Sequence, residues 1–62
     1  MMRTVFKIEI GNRCARVVRN PEWEEYIVQF YEDGDHLVPA DYFTDDREDA
    51  LETAKVWARE VV

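Results

Sequence analysis

The C-terminal quarter of the sequence carries one amphipathic helical pattern. Apolar residues recur there at intervals of three and four positions, as on one face of an α-helix. The members of this stripe are Ala50, Leu51, Ala54, Trp57, Ala58 and Val61. Asp45, followed three positions later by Glu48, has the spacing of a capping box, so we expect a helix over about 46–61. Because one helix covers only one face of a small sheet, it constrains how all the preceding residues fold.

The residues before this helix predict β-structure. Polarity alternates with a period of two at the N-terminus, and a later segment is rich in aromatic and β-branched residues. The predicted strands cover about 2–10, 13–19 and 23–32, with an optional fourth over 37–39. The fold class is therefore α+β, a three- or four-stranded antiparallel β-meander with one C-terminal α-helix packed on one face. The 62 residues leave room for a single domain, 1–62, with one thin core.

Gly11-Asn12 suits a two-residue hairpin turn of the II′ kind and sets the register of the first two strands. The predicted cross-strand pairs are Ile10 with Arg13, Ile8 with Ala15, Phe6 with Val17, Lys7 with Arg16 and Val5 with Val18. Two like charges directly opposite each other cost stability. We therefore expect an acidic neighbour to offset Lys7 and Arg16, or the register to slip.

The sheet face away from the helix is a candidate interface, because nothing in the predicted fold covers it. It is expected to carry an apolar set with charged edges, namely Val5, Val18, Trp23, Ile27 and Tyr31 with Lys7 and Arg16. A homodimer built through this open face is one reading, which would make the chain a structural protein.

Charge is unevenly distributed along the chain. The net charge is −6, but the first twenty residues hold five basic side chains and one acidic one. The remaining residues hold three basic and thirteen acidic side chains. An acidic chain is repelled by nucleic acid and by anionic membranes, and its acidic part attracts basic partners.

Catalytic and metal-binding readings find little support. The sequence has no serine, and its only nucleophile–base pair is Cys14 with His36, for which a surface histidine and a packed cysteine are the ordinary explanation. The acidic residues Asp33, Asp35, Asp41, Asp45, Asp46 and Asp49 lack the spacing of a calcium loop. We therefore expect no catalytic residue, no metal, no cofactor and no enzymatic activity.

The lone cysteine also bears on location. One cysteine permits no internal disulfide and suits a reducing compartment. No stretch approaches the roughly 20 apolar residues of a membrane span. We expect a cytoplasmic protein without a membrane partner.

A nucleic-acid interface is the main alternative to a protein interface. Basic side chains interleaved with aromatic ones are a recognised way of holding single strands. The candidate contacts are Lys7, Arg13, Arg16 and Arg19. The overall acidity disfavours this reading.

A protein partner fits the acidic and aromatic residues better, since Trp and Tyr are enriched among interface anchors. The predicted partner-binding residues are Asp45, Asp46, Glu48, Asp49, Trp23, Tyr31 and Tyr42. Dense acidic surfaces also compete for cationic grooves that normally hold nucleic acid.

The stretch from Ala40 to Ala50, Ala-Asp-Tyr-Phe-Thr-Asp-Asp-Arg-Glu-Asp-Ala, continuing through Thr53-Ala54, resembles short uncharacterised acidic proteins of phages and prophages. That class includes anti-CRISPR and anti-restriction inhibitors. The resemblance implies a phage-type inhibitor of a host protein and carries no functional residue over to this chain. The expected function is thus a non-enzymatic protein-interaction module.

Overall fold

A computed structural model describes residues 2–60 of the chain. Within these residues the chain forms five strands and one α-helix, with a short 3₁₀ turn at Val38–Ala40. The elements are β1 (Arg3–Ile10), β2 (Arg13–Asn20), β3 (Glu25–Glu32), β4 (Asp35–His36), β5 (Tyr42–Thr44) and α1 (Arg47–Arg59). The predicted α+β class, an antiparallel sheet with one C-terminal helix, is confirmed.

The sheet runs β1-β2-β3, and both short strands pair with the free edge of β3. β4 lies opposite the end of β3, where Tyr31 faces His36, and β5 lies opposite its start, where Tyr26 faces Thr44. The fourth strand predicted over 37–39 is misplaced. Asp33 and Gly34 both adopt positive φ (54° and 86°), which closes a two-residue turn and starts β4 at Asp35.

The first hairpin confirms most of the predicted register. Gly11 adopts a positive φ of 61°, and the pairs from Ile10 with Arg13 to Phe6 with Val17 form as expected. The pairing of Val5 with Val18 is wrong, because a bulge shifts the register and places Thr4 opposite Val18. Val5 therefore packs against the core beneath the helix.

The third strand begins two residues later than predicted. Pro21–Glu24 form a turn in which the Asn20 side-chain oxygen accepts a hydrogen bond from the Glu22 backbone N–H at 3.1 Å. Glu24 adopts a positive φ of 48°, which redirects the chain into β3. Trp23 consequently lies in the turn and is 75% exposed.

Helix α1 is capped by Asp46 rather than by the predicted Asp45. The Asp46 carboxylate accepts hydrogen bonds from the backbone N–H groups of Glu48 (3.0 Å) and Asp49 (3.4 Å). The helix ends at Arg59, and Val61 of the predicted stripe lies outside the described residues.

The core lies between α1 and one face of the sheet. Fully buried alanines on the helix allow it to approach the sheet closely. The core consists of Ala15, Val17, Val28, Phe30, Ala50 and Ala54. The side chains of β2 and β3 that alternate with these point to the opposite face, which α1 does not cover.

Candidate functional site

A shallow groove of about 380 Å³ runs along the flank of α1 next to Phe30 of β3. The groove is lined by Phe30, Asp49, Glu52, Thr53, Val56, Trp57 and Glu60. Three of these side chains are carboxylates (Asp49, Glu52 and Glu60) and three are apolar (Phe30, Val56 and Trp57). We call the apolar set the floor of the groove and the negatively charged set its acidic rim.

The floor includes two aromatic rings. Phe30 and Trp57 pack with their ring centroids 4.9 Å apart at an interplanar angle of 53°. Aromatic pairs favour such tilted arrangements over a face-to-face stack. Val56 extends this surface and is 47% exposed. Water therefore meets an apolar surface along this flank.

Arg13 holds Trp57 in place. Its guanidinium carbon lies 4.6 Å from the centroid of the indole ring, and Nη1 donates a hydrogen bond to the Trp57 carbonyl at 3.0 Å. This bond satisfies a carbonyl in the last turn of the helix. Glu32 in turn fixes Arg13 through an ion pair of 3.3 Å. These contacts fix the orientation of the indole ring.

Tyr42 joins the acidic rim at the start of the helix. Its hydroxyl donates a hydrogen bond to Asp49 Oδ2 at 2.6 Å. That bond raises the pKa of Tyr42 above its usual 10.0, and partial burial and the negative charges of Asp49 and Asp46 add to the rise. The structure thereby brings together two of the predicted partner-binding residues, Tyr42 and Asp49.

The other predicted acidic residues have different places. Asp46 is occupied as the cap, and its backbone N–H donates to Thr44 Oγ1 at 3.1 Å. Asp45 and Glu48 are exposed at the start of the helix and do not line the groove.

The remaining predicted aromatics lie apart from this surface. Trp23 lies in the β2–β3 turn. Tyr31 is on the uncovered face, where it stacks on His36 at 4.8 Å. The predicted set is therefore divided among three surfaces.

The basic residues predicted for nucleic acid do not form one surface either. Strand alternation places Lys7 and Arg16 on the uncovered face and Arg13 and Arg19 on the helix face. Arg13 is already engaged by Trp57 and Glu32. A continuous basic patch of all four side chains is absent from the described part of the chain.

The uncovered face is less apolar than predicted. Val18 and Ile27 lie there side by side, but each is only 7% exposed. Phe43 lies opposite Ile27 and is 58% exposed. The proposed dimer face is thus reduced mainly to this one ring.

Cys14 and His36 do not form a dyad. Tyr31 is the register partner of both, so β3 separates them by two strand spacings, about 10 Å. His36 Nε2 instead lies 2.9 Å from Asp41 Oδ1. Residues 2–60 contain no group of three His, Cys, Asp or Glu side chains placed to hold a metal.

Sequence reasoning missed most of the groove. The sequence pattern assigned Trp57 to the apolar stripe of the helix and assigned Glu52, Val56 and Glu60 to no site. The missed signal is the spacing of Asp49, Glu52, Val56 and Glu60, which places them along one flank of a helix.

The comparisons with known proteins identify no relative. No family model matches the chain, and searches of curated proteins and of solved structures find no match. Among the described residues, no helix has the length and apolar character needed to cross a membrane.

Proposed function

We propose that the chain is a non-enzymatic interaction module that binds a basic segment of a larger protein in the groove along α1. One observation carries the proposal: three carboxylates, those of Asp49, Glu52 and Glu60, line the same groove as the aromatic pair of Phe30 and Trp57. The net charge of −6 extends the same preference over a longer range.

The occupant that fits is a segment with an apolar side chain flanked by Lys or Arg. The apolar side chain of the segment covers the accessible surface of Trp57 and Val56, and burial of that surface supplies affinity. The flanking cations meet the carboxylate rim, which supplies on-rate and specificity. Arg13 over the Trp57 ring is an internal example of a guanidinium on this aromatic surface. The groove volume is in the range of sites that hold one small ligand.

Binding of this kind would block the ordinary ligand of the partner surface. A cationic segment on a larger protein commonly holds nucleic acid or an acidic protein, and a folded acidic module competes for it. This is how the chain would act as an inhibitor of a host protein, as the resemblance to phage proteins implies.

The experiment uses Trp57 fluorescence as the reporter. Trp23, the other tryptophan, is replaced in a Trp23→Phe background, which leaves only the tryptophan of the groove. The probe is a synthetic peptide with one leucine between lysine pairs, and the matched peptide carries glutamates instead of lysines. We expect the lysine peptide alone to change Trp57 emission, with an affinity that falls as salt rises.

Charge reversal then locates the site. Glu52→Lys should weaken binding of the lysine peptide by about tenfold, because it places a cation on the rim. Glu22→Lys is the control, since it changes net charge equally from an exposed turn. Asp46 and Asp49 are not used for charge reversal, because Asp46 caps the helix and Asp49 accepts the hydrogen bond from Tyr42. Asp45→Lys tests whether the predicted helix-start residues contribute. Equal losses for Glu52→Lys and Glu22→Lys, or equal binding of both peptides, would refute the proposal.

A further inference from the structure

The uncovered face of the sheet holds a second, larger cavity of about 430 Å³. It lies above the ends of β1, β2 and β3 and includes the turns around Gly11 and Gly34. The side chains that line it are Lys7, Glu9, Asn12, Cys14, Arg16 and Tyr31. The groove along α1 shares none of these residues.

Two cations face each other in this cavity. Lys7 is the direct cross-strand partner of Arg16, an arrangement that costs stability. The register does not slip at this pair, and the nearby Glu9 carboxylate, although it lines the same cavity, forms no ion pair with either residue within residues 2–60. The repulsion between the two cations is therefore not offset by an ion pair.

Arg16 is nevertheless held firmly by neutral groups. Its Nε and Nη2 donate to Gln29 Oε1 at 3.4 and 3.3 Å, and Nη2 donates to the Tyr31 hydroxyl at 3.0 Å. Tyr31 is held in turn by stacking on His36. These contacts orient the guanidinium and leave its charge unneutralised.

The end of the cavity is also braced. Asn12 Nδ2 donates to Asp33 Oδ1 at 3.0 Å, and the Asp33 backbone N–H donates to the Asn12 carbonyl at 2.9 Å. The two turns are thus tied together beside the cationic pair. A site oriented in advance lowers the entropic cost of binding.

We infer that this cavity binds a small molecule that carries an oxyanion, a phosphate or carboxylate group, between Lys7 and Arg16. An anion there removes the repulsion between the two cations and accepts charge-assisted hydrogen bonds from both. The groove carboxylates of Asp49, Glu52 and Glu60 lie on the helix side of the sheet and do not line this cavity. This inference is independent of the function proposed for the groove.

Pyrophosphate and citrate are the probes, and sodium chloride at equal ionic strength is the control. The first readout is the midpoint of thermal unfolding, which a bound anion raises by mass action. The second is the rate at which an uncharged reagent alkylates Cys14, the only cysteine and a lining residue. We expect at least one probe to raise the midpoint and slow alkylation: pyrophosphate if the site prefers phosphate, citrate if it prefers carboxylate, and both if it accepts either. Sodium chloride should do neither.

Three variants make the result specific. Lys7→Gln should weaken anion binding about tenfold, the loss of one charge-assisted contact, while leaving the midpoint without anion unchanged or higher. Glu9→Gln should strengthen binding, because it removes the one negative charge in the cavity wall. Lys55→Gln, a lysine beside Phe6 on the helix side, should change nothing.

Three outcomes would contradict the proposed anion site. Equal protection of Lys7→Gln and the parent protein would show a general salt effect and overturn the inference. The inference would also be overturned if neither pyrophosphate nor citrate raised the unfolding midpoint or slowed alkylation of Cys14. A single-stranded oligonucleotide that binds far more tightly than pyrophosphate, and loses that binding in Lys7→Gln, would replace the small molecule by nucleic acid.

Discussion

The two faces of the sheet are built by consecutive residues of the same strands, yet they differ in how they are covered. Val17 points toward α1 and has no exposed surface, whereas Val18 points the other way and is 7% exposed. The first packs against buried helix alanines and Phe30. The second lies in a row with Thr4, Ile27 and Phe43 on the face that α1 does not cover. Similar burial therefore occurs inside the core cluster on one face and outside it on the other.

The faces also differ in charge. Next to the covered face, the groove carries the carboxylates of Asp49, Glu52 and Glu60. On the uncovered face, the cavity carries the cations Lys7 and Arg16 with the single carboxylate of Glu9. The sheet thus keeps two unlike surfaces apart in a domain of 62 residues. A period of two along each strand is enough to achieve this separation.

The largest expected effect comes from truncating the two valines separately. Val17→Ala should lower the free energy of unfolding by about 2–3 kcal/mol, because it leaves a cavity under a helix that cannot close it. Val18→Ala should cost about 1 kcal/mol, because α1 does not cover this face and the site is freer to relax around the missing methyl groups. Urea unfolding of both variants measures the difference.

This pair also tests the dimer reading. Equal losses would mean that the uncovered face is packed as tightly as the core, as it would be beneath a second copy of the chain. Sedimentation of the parent protein at two concentrations would then have to show a dimer.

Local sequence signals predicted the elements well. Gly11-Asn12 set the hairpin, and the spacing of Ala50, Ala54 and Ala58 set the buried side of the helix. Both signals act over a few residues, so no knowledge of the rest of the fold is needed. The errors arise where tertiary contacts decide, as at Val5, which a bulge turns toward the core.

The candidate sites were harder to predict for the same reason. The groove combines Phe30 of β3 with Trp57 of α1, residues that meet only after the helix packs on the sheet. The cationic pair was visible as a register conflict between Lys7 and Arg16. The sequence could not show that Gln29 and Tyr31 would hold Arg16 without neutralising it.

A smaller effect is expected at the helix cap, on which coverage of one face depends. Asp46→Ala should cost about 1 kcal/mol, because two backbone N–H groups lose their acceptor. For a domain of this size, that corresponds to a midpoint lower by about 4–8 °C. Asp45→Ala, next to the cap and without a hydrogen bond to the helix start, should change stability by less than about 0.5 kcal/mol. Thermal unfolding followed by circular dichroism compares the two, and a larger loss for Asp45→Ala would restore the predicted cap.

The smallest effect is a titration at the border between the acidic groove and the sheet edge. Tyr42 should ionise above its usual pKa of 10.0, because its neutral hydroxyl donates a hydrogen bond to Asp49 and the adjacent negative charge disfavours a tyrosinate. Since the folded pKa is raised, the stability it contributes is fully present below the unfolded pKa. That contribution is lost as pH rises through the folded value. The ultraviolet absorbance difference between the parent protein and Tyr42→Phe isolates this group from the other tyrosines. Asp49→Asn should move its pKa back toward 10.0, whereas Asp45→Asn should leave it in place. A parent value at or below 10.0 would mean that the Tyr42–Asp49 bond does not persist in solution, and the acidic rim would then end at the helix.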